Sequence, residues 1–188
     1  MNGKVIIFSA PSGSGKTTII KQLLEKDLNM QFSVSACSRP KREGEIDGKD
    51  YYFIGVEEFK KRINEGLFIE WEEVYTDFYY GTLKSEIDRL WQNNIHIVFD
   101  VDVLGGMNLK NIFKEHALSV YIMPPSITEL ENRLRNRNTE DDSTLSKRIQ
   151  RAKKELTYAS KFDVVVVNDR LEIAVEETYQ AIRKFLSK

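Results

Sequence analysis

The sequence predicts an α/β fold, a parallel sheet with helices on both faces. Three observations predict it. Short β-branched runs alternate with helical patterns along most of the chain. The first of these runs leads through a Gly-Ser-rich stretch straight into a helix. One segment, Ser35–Asn94, breaks the rhythm with an Asp-Gly turn and an aromatic run, which predicts an inserted β-rich subdomain.

Taken in order, Lys4–Ser9 reads as a buried strand, and a helix is expected from about Lys16 to Asp27. Gln31–Ser35 suits a short strand. Within the insert, Asp47-Gly48 marks a turn between β-prone flanks, Val56–Glu65 a short helix, and Leu67–Tyr80 an aromatic run. Further strands are expected at Ile95–Asp100, Leu118–Ile122 and Val164–Asn168. Helical patterns occupy about Val103–Glu115, Ser126–Arg135, Ser143–Ala159 and Leu171–Leu186. Ser126 with Glu129 fits a capping box. Arg133–Thr144 is polar and rich in Arg, Asn, Thr and Asp, a composition that suits a mobile lid. The expected organisation is one domain over 1–188, with its core at about 1–34 and 95–188, an insert at about 35–94 and a lid at about 133–148.

Composition narrows the function. The 188 residues are enough for one domain that buries roughly 70% of its unfolded surface. Lys and Arg number 28 against 29 Asp and Glu, a net charge of -1. That balance argues against a dedicated nucleic-acid binder. The single cysteine, Cys37, excludes an internal disulfide, and two histidines make a His-based metal site a poor expectation. Cys37 has no neighbouring His in sequence and is not expected to be a nucleophile. His96 reads as structural, and His116 as a cap or surface residue. No apolar stretch suits a signal peptide or a membrane span, so the expected compartment is the cytoplasm.

Ala10-Pro11-Ser12-Gly13-Ser14-Gly15-Lys16-Thr17 matches the phosphate-loop pattern except that Ala10 replaces the first Gly. The strand before it and the helix after it are the context the motif requires. Its glycines let backbone N–H groups wrap a phosphate chain, and the helix N-terminus adds partial positive charge. Lys16 would reach the outer phosphates, and the Thr17 hydroxyl would ligate Mg²⁺, a hard cation that prefers oxygen. Asp100, at the end of its strand, could act on the same ion through water, and Asp102 could share its side. Arg133, Arg135 and Arg137, followed by Arg148 and Arg151, could neutralise the charge of a transferring phosphoryl group. Arg135 and Arg151 equally suit a solvated helix face paired with acids.

These residues, with Phe32–Ser35, Glu45–Tyr51, Phe68–Trp71, Tyr79–Thr82, Asp100–Asp102, Pro124–Ser126 and Val167–Asp169, resemble the guanylate kinases of bacterial type over nearly the whole chain. The resemblance implies a P-loop NTPase core, a GMP-binding insert and the reaction ATP + GMP = ADP + GDP, assisted by Mg²⁺. It implies that Ser35, Glu70 and Thr82 read guanine, and that Arg39, Arg42, Tyr51 and Tyr80 hold the GMP phosphate, with Gly81 and Asp102 beside GMP. A carboxylate such as Glu70 can accept from both N1–H and the N2 amino group of guanine, a donor pair that adenine lacks. It further implies that Lys16, Arg133, Arg137 and Arg148 are catalytic. ATP is then held by Ala10 to Thr17, Thr18, Arg137 and Asn168, the last near the adenine. Purine nucleotide metabolism follows from these substrates; neither nucleic acid nor membrane is an expected partner.

The chain departs from the family pattern in three places: Cys37-Ser38 replace two Thr, Pro40 comes one place early, and Leu104 stands where a Gln is common. Three other readings compete. A non-catalytic guanylate-kinase-like binding module would not need Lys16, Thr17 and the arginines together. Another nucleoside monophosphate kinase would not need Glu70 with Ser35. A regulatory GTPase lacks its base-reading motif, which Val167-Asn168-Asp169-Arg170 does not match. An amphipathic helix face looks the same in a core and at an interface, so the sequence leaves self-association open.

Overall fold

A computed structural model describes residues 3–135 and 142–187. The elements are, in order, β1 (Val5–Ser9), α1 (Lys16–Leu24), β2 (Met30–Phe32), β3 (Ala36–Cys37), β4 (Tyr52–Phe53), α2 (Val56–Asn64), β5 (Phe68–Tyr75), β6 (Phe78–Leu83), α3 (Lys84–Gln92), β7 (His96–Asp100), α4 (Val103–Phe113), β8 (Ala117–Met123), α5 (Ile127–Arg135), α6 (Asp142–Leu156), β9 (Val164–Val167) and α7 (Leu171–Leu186). They divide into two compact units, one of Gly3–Met30 with the described residues from Val98 onward, the other of Gln31–Ile97.

The larger unit is built on a five-stranded sheet in the order β2-β7-β1-β8-β9. β8 pairs in parallel with β1 on one side and β9 on the other. Val5 to Phe8 are fully buried, and so is nearly all of β8. Strands buried on both faces read as continuous apolar runs, as these do. α4 packs on β1 and β8, and α7 packs on β8, β9 and α1. Val103, Tyr121 and Phe162 form one core cluster; Leu130, Leu134 and Ala152 form another, between α5 and α6. Asp163 ties β8 to α4: it accepts from the Ser119 N–H and hydroxyl, both at 2.8 Å, and pairs with Lys110 at 2.7 Å.

The smaller unit carries a four-stranded sheet in the order β4-β3-β6-β5. β3 runs parallel to β4 and antiparallel to β6. The aromatic run supplies its core. Phe59 of α2 stacks on Phe68, with ring centroids 4.3 Å apart, and on Tyr79 at 5.5 Å. Trp71, Tyr75 and Phe78 of the same run remain exposed. Asp47-Gly48 does turn, with Gly48 at φ 73°, yet no antiparallel hairpin flanks it. Asp47 makes a single parallel bridge to Tyr51, and β4 then joins β3 in parallel.

α3 is an element the sequence reading did not include. It follows β6 without a loop, and Ile87 and Leu90 face inward with Glu86. Glu86 is buried, and burial alone would raise its pKa. Arg89, the Val34 N–H and the Tyr52 hydroxyl outweigh that and hold it below the ordinary value. The capping box at α5 is half made: the Glu129 N–H donates to Ser126 Oγ at 3.0 Å, while the Glu129 carboxylate accepts from Arg133 Nε at 2.8 Å. Of the expected lid, residues 136–141 lie outside the described residues.

Candidate functional site

In the larger unit β1 delivers the chain into the loop Ala10–Gly15, and α1 starts at Lys16. Gly15 caps α1 at φ 85°, in the left-handed region that favours glycine. A Cβ there would also collide with the Asn168 side-chain amide. That amide donates to the Ser14 carbonyl at 2.7 Å, so Asn168, just past β9, braces the loop. Ala10 is not among the residues at positive φ, so a methyl group in place of the usual Gly hydrogen carries no backbone penalty.

Around this loop lies an open cavity of about 490 Å³. It is lined by Ala10, Pro11, Ser12, Gly13, Ser14, Gly15, Lys16, Thr17 and Thr18, and by Asp100 to Asp102, Arg148, Arg151 and Glu155. Lys16 Nζ pairs with the Asp100 carboxylate at 2.5 Å and donates to the Val101 carbonyl at 2.8 Å. Its cation is thus held at the end of β7. Asp102 caps α4, its carboxylate accepting from the Gly105 N–H at 2.8 Å, and lies 3.5 Å from Arg151. Asp102 therefore stands with the phosphate loop, whereas the other residues expected beside GMP stand in the smaller unit.

Arg148, on α6, donates to the Ser12 hydroxyl of the loop at 2.8 Å. Arg133, on α5, is held by Glu129 at 2.8 Å and donates to the Asn168 carbonyl at 3.2 Å. Arg135 is exposed at the end of α5. Arg151 pairs with Glu155 at 2.8 Å. Arg137 lies outside the described residues. Thr17 and Asp100 offer one hydroxyl and one carboxylate to the cavity. Such an all-oxygen set fits a Mg²⁺ ion that takes its other ligands from phosphate and water.

The smaller unit holds a second constellation. Glu70 on β5 pairs across the sheet with Thr82 on β6, whose hydroxyl donates to its carboxylate at 2.8 Å. Burial raises the Glu70 pKa above the ordinary carboxylate value, against the lowering effect of Thr82. Gly81 lets the strands meet here, since a Cβ on it would lie 2.6 Å from the Glu70 carbonyl. The Ser35 carbonyl accepts from the Tyr52 N–H at 2.9 Å.

Arg39, two residues past β3, is buried. Its Nε donates to the Tyr80 hydroxyl at 3.1 Å, and its guanidinium lies over the Tyr51 ring at 5.1 Å. Tyr51 and Tyr80 meet edge to face at 5.7 Å. Arg42 is exposed.

Sequence reasoning gave no role to Glu45, which grips Arg39 by both oxygens at 2.5 and 2.7 Å. Its place at the head of the Glu45–Tyr51 motif, three residues after Arg42, was the available signal. Ser38, one of the departures, is buried and bridges two backbone groups: it donates to the Asp77 carbonyl at 2.7 Å and accepts from the Tyr79 N–H at 2.8 Å. Cys37 is buried, which pushes its thiol pKa up and suits a packing role rather than nucleophilic chemistry. Leu104, another departure, is exposed.

A family model described as guanylate kinase matches residues 2–187. The chain is 50% identical over 188 residues to a guanylate kinase of Bacteroides thetaiotaomicron, covering 100% of this chain and 92% of that protein. It is 47% identical over 186 residues to one of Porphyromonas gingivalis, covering 98% and 99%. The crystal structure of guanylate kinase from Anaplasma phagocytophilum superposes with a TM-score of 0.73 at 29% identity, covering 99% of this chain and 87% of that one.

Proposed function

The chain belongs to the guanylate kinase family, and we propose which of its residues carry that family's reaction. The activity is ATP-dependent phosphorylation of GMP to GDP. In our reading the loop Ala10–Thr17 wraps the ATP phosphates with its backbone N–H groups, and Thr18 lines the same cavity. Lys16 exchanges Asp100 and the Val101 carbonyl for the outer phosphates. Thr17, and Asp100 through water, would hold Mg²⁺. That ion, when bound, neutralises phosphate charge.

The smaller unit takes GMP. Its carrying observation is a half-buried carboxylate, Glu70 on β5, and a buried guanidinium, Arg39 just past β3, each tied to the same strand. Thr82 of β6 bonds Glu70, and Tyr80 of β6 bonds Arg39. Glu70 accepts from guanine N1–H and N2–H, with Thr82 fixing its second oxygen and Ser35 beside it. Gly81 keeps the strands close. Arg39, Arg42, Tyr51 and Tyr80 hold the phosphate. The family resemblance adds Asp102 to the GMP-binding set.

A GMP phosphate oxygen then attacks the γ-phosphorus of ATP in line, and the bond to the ADP oxygen breaks. Arg133, Arg137 and Arg148 neutralise the moving charge, which is where most of the catalysis lies. No covalent enzyme intermediate and no general base are needed. The segment 133–148 acts as a lid. Asn168 braces the loop and borders the adenine. The reaction belongs to purine nucleotide metabolism in the cytoplasm.

The test is ADP formation from Mg-ATP with GMP, AMP, CMP and UMP in parallel. Turnover with GMP alone supports the assignment. Turnover with AMP or a pyrimidine nucleotide of similar efficiency removes Glu70 as the base reader.

A further inference from the structure

Arg39 is a buried cation whose donors are almost fully spent. A guanidinium has five N–H donors. Nε donates to the Tyr80 hydroxyl, Nη1 to Glu45 and to the Pro40 carbonyl, and Nη2 to Glu45. One Nη2 proton is left over. It lies on the guanidinium edge that also carries Nε, next to the Tyr80 hydroxyl. That hydroxyl accepts from Nε, which leaves its own proton available to donate. The edge therefore presents two donors side by side, one N–H and one O–H, to a single anion.

Glu45 creates this arrangement. Its carboxylate engages both terminal nitrogens of Arg39 in the bidentate way that fixes a guanidinium plane. The same carboxylate accepts from the Arg42 backbone N–H at 2.8 Å, and the Glu45 N–H donates back to the Arg42 carbonyl at 3.2 Å. One side chain thus sets the orientation of the first clamp arginine and the backbone position of the second. The Tyr51 and Phe53 rings beneath the guanidinium, at 5.1 and 5.3 Å, close off its face.

We infer that Glu45 is a positioning residue for the acceptor phosphate: it touches no substrate, but it orients Arg39 and places Arg42 so that both meet a phosphate monoester. The inference rests on the phosphate-clamp role given above to Arg39. It also explains an otherwise odd feature, a carboxylate beside a site for a dianion. The acid lowers the positive charge of the clamp and supplies rigidity in exchange, so a neutral amide cannot replace it.

The test compares wild type with Glu45→Gln, Glu45→Asp and Arg39→Ala. It measures GMP and ATP kinetics, and the binding of guanosine, which has the base but no phosphate. Glu45→Gln is expected to raise the GMP KM at least tenfold, with a fall in kcat below threefold and an unchanged ATP KM. Guanosine binding stays within twofold of wild type. Glu45→Asp keeps the charge and recovers part of the GMP affinity.

An unchanged GMP KM in Glu45→Gln, or an equal loss of guanosine binding, overturns the inference. The second outcome would mean that Glu45 only maintains the fold of its unit. Arg39→Ala separates the two layers. If it raises the GMP KM while Glu45→Gln does not, the positioning role alone fails. If neither does, the clamp assignment fails as well.

Discussion

Glu70 shows how much one residue's environment adds to its identity. The sequence supplied a carboxylate that suits guanine, and the fold buries it against Thr82. Burial raises its pKa above the ordinary value, because the charged form loses hydration. Guanine recognition needs the ionised form. As pH falls through the raised pKa, the acceptor pair is lost and GMP binding weakens, starting above the usual carboxylate range. The Glu70→Gln variant is expected to bind GMP roughly tenfold to a hundredfold more weakly at neutral pH, the cost of losing bonds to a charged group of about 1.5–3 kcal/mol. It should also lack the acid limb. The ratio of wild-type to variant GMP affinity between pH 4 and 8 checks this, since the titration of GMP itself cancels. For stability the sign is opposite. A carboxyl raised in the fold costs stability above its folded pKa, and that cost is relieved as pH falls toward the ordinary value.

At the scale of elements, β6 joins the proposed base reader, Glu70, to the proposed phosphate holder, Arg39, and Ser38 pins its turn with β5. The Ser38 hydroxyl satisfies the Asp77 carbonyl and the Tyr79 N–H at once. Ser38→Ala leaves the buried Tyr79 N–H without that partner, while the carbonyl of the exposed Asp77 can turn to water. Such a loss costs about 1–3 kcal/mol, so a clearly lowered urea midpoint with unchanged m-value is expected. Ser38→Thr keeps the hydroxyl and should retain most of the stability. The phosphate loop and β1 were legible because their signals are local: an apolar strand, two glycines, Lys16 and Thr17 within a few residues. α3 was not, because it starts directly at the end of β6 behind Leu83, with no side-chain cap and no turn residue to mark it. The grip of Glu45 on Arg39 was not either. It spans an irregular stretch where no periodicity tells which way a side chain points. The second half of the capping box failed for a related reason: Arg133, one turn further along, outcompetes the backbone for Glu129.

For the whole molecule, two units each hold one set of charged groups. The larger one surrounds its cavity with the loop, Lys16 and Arg148; the smaller one carries Glu70, Thr82 and Tyr80 on its sheet and Arg39 just past β3. The α/β class and the family resemblance were readable end to end, since each strand and helix of the larger unit announces itself. In the proposed mechanism the donor is read by one unit and the acceptor by the other. Binding of GMP and of a non-hydrolysable ATP analogue to wild type, Lys16→Ala and Glu70→Gln, each nucleotide titrated alone by calorimetry, tests it most directly. Lys16→Ala is expected to weaken only the ATP analogue, and Glu70→Gln only GMP. Loss of GMP binding in Lys16→Ala, or of analogue binding in Glu70→Gln, in folded protein would contradict it.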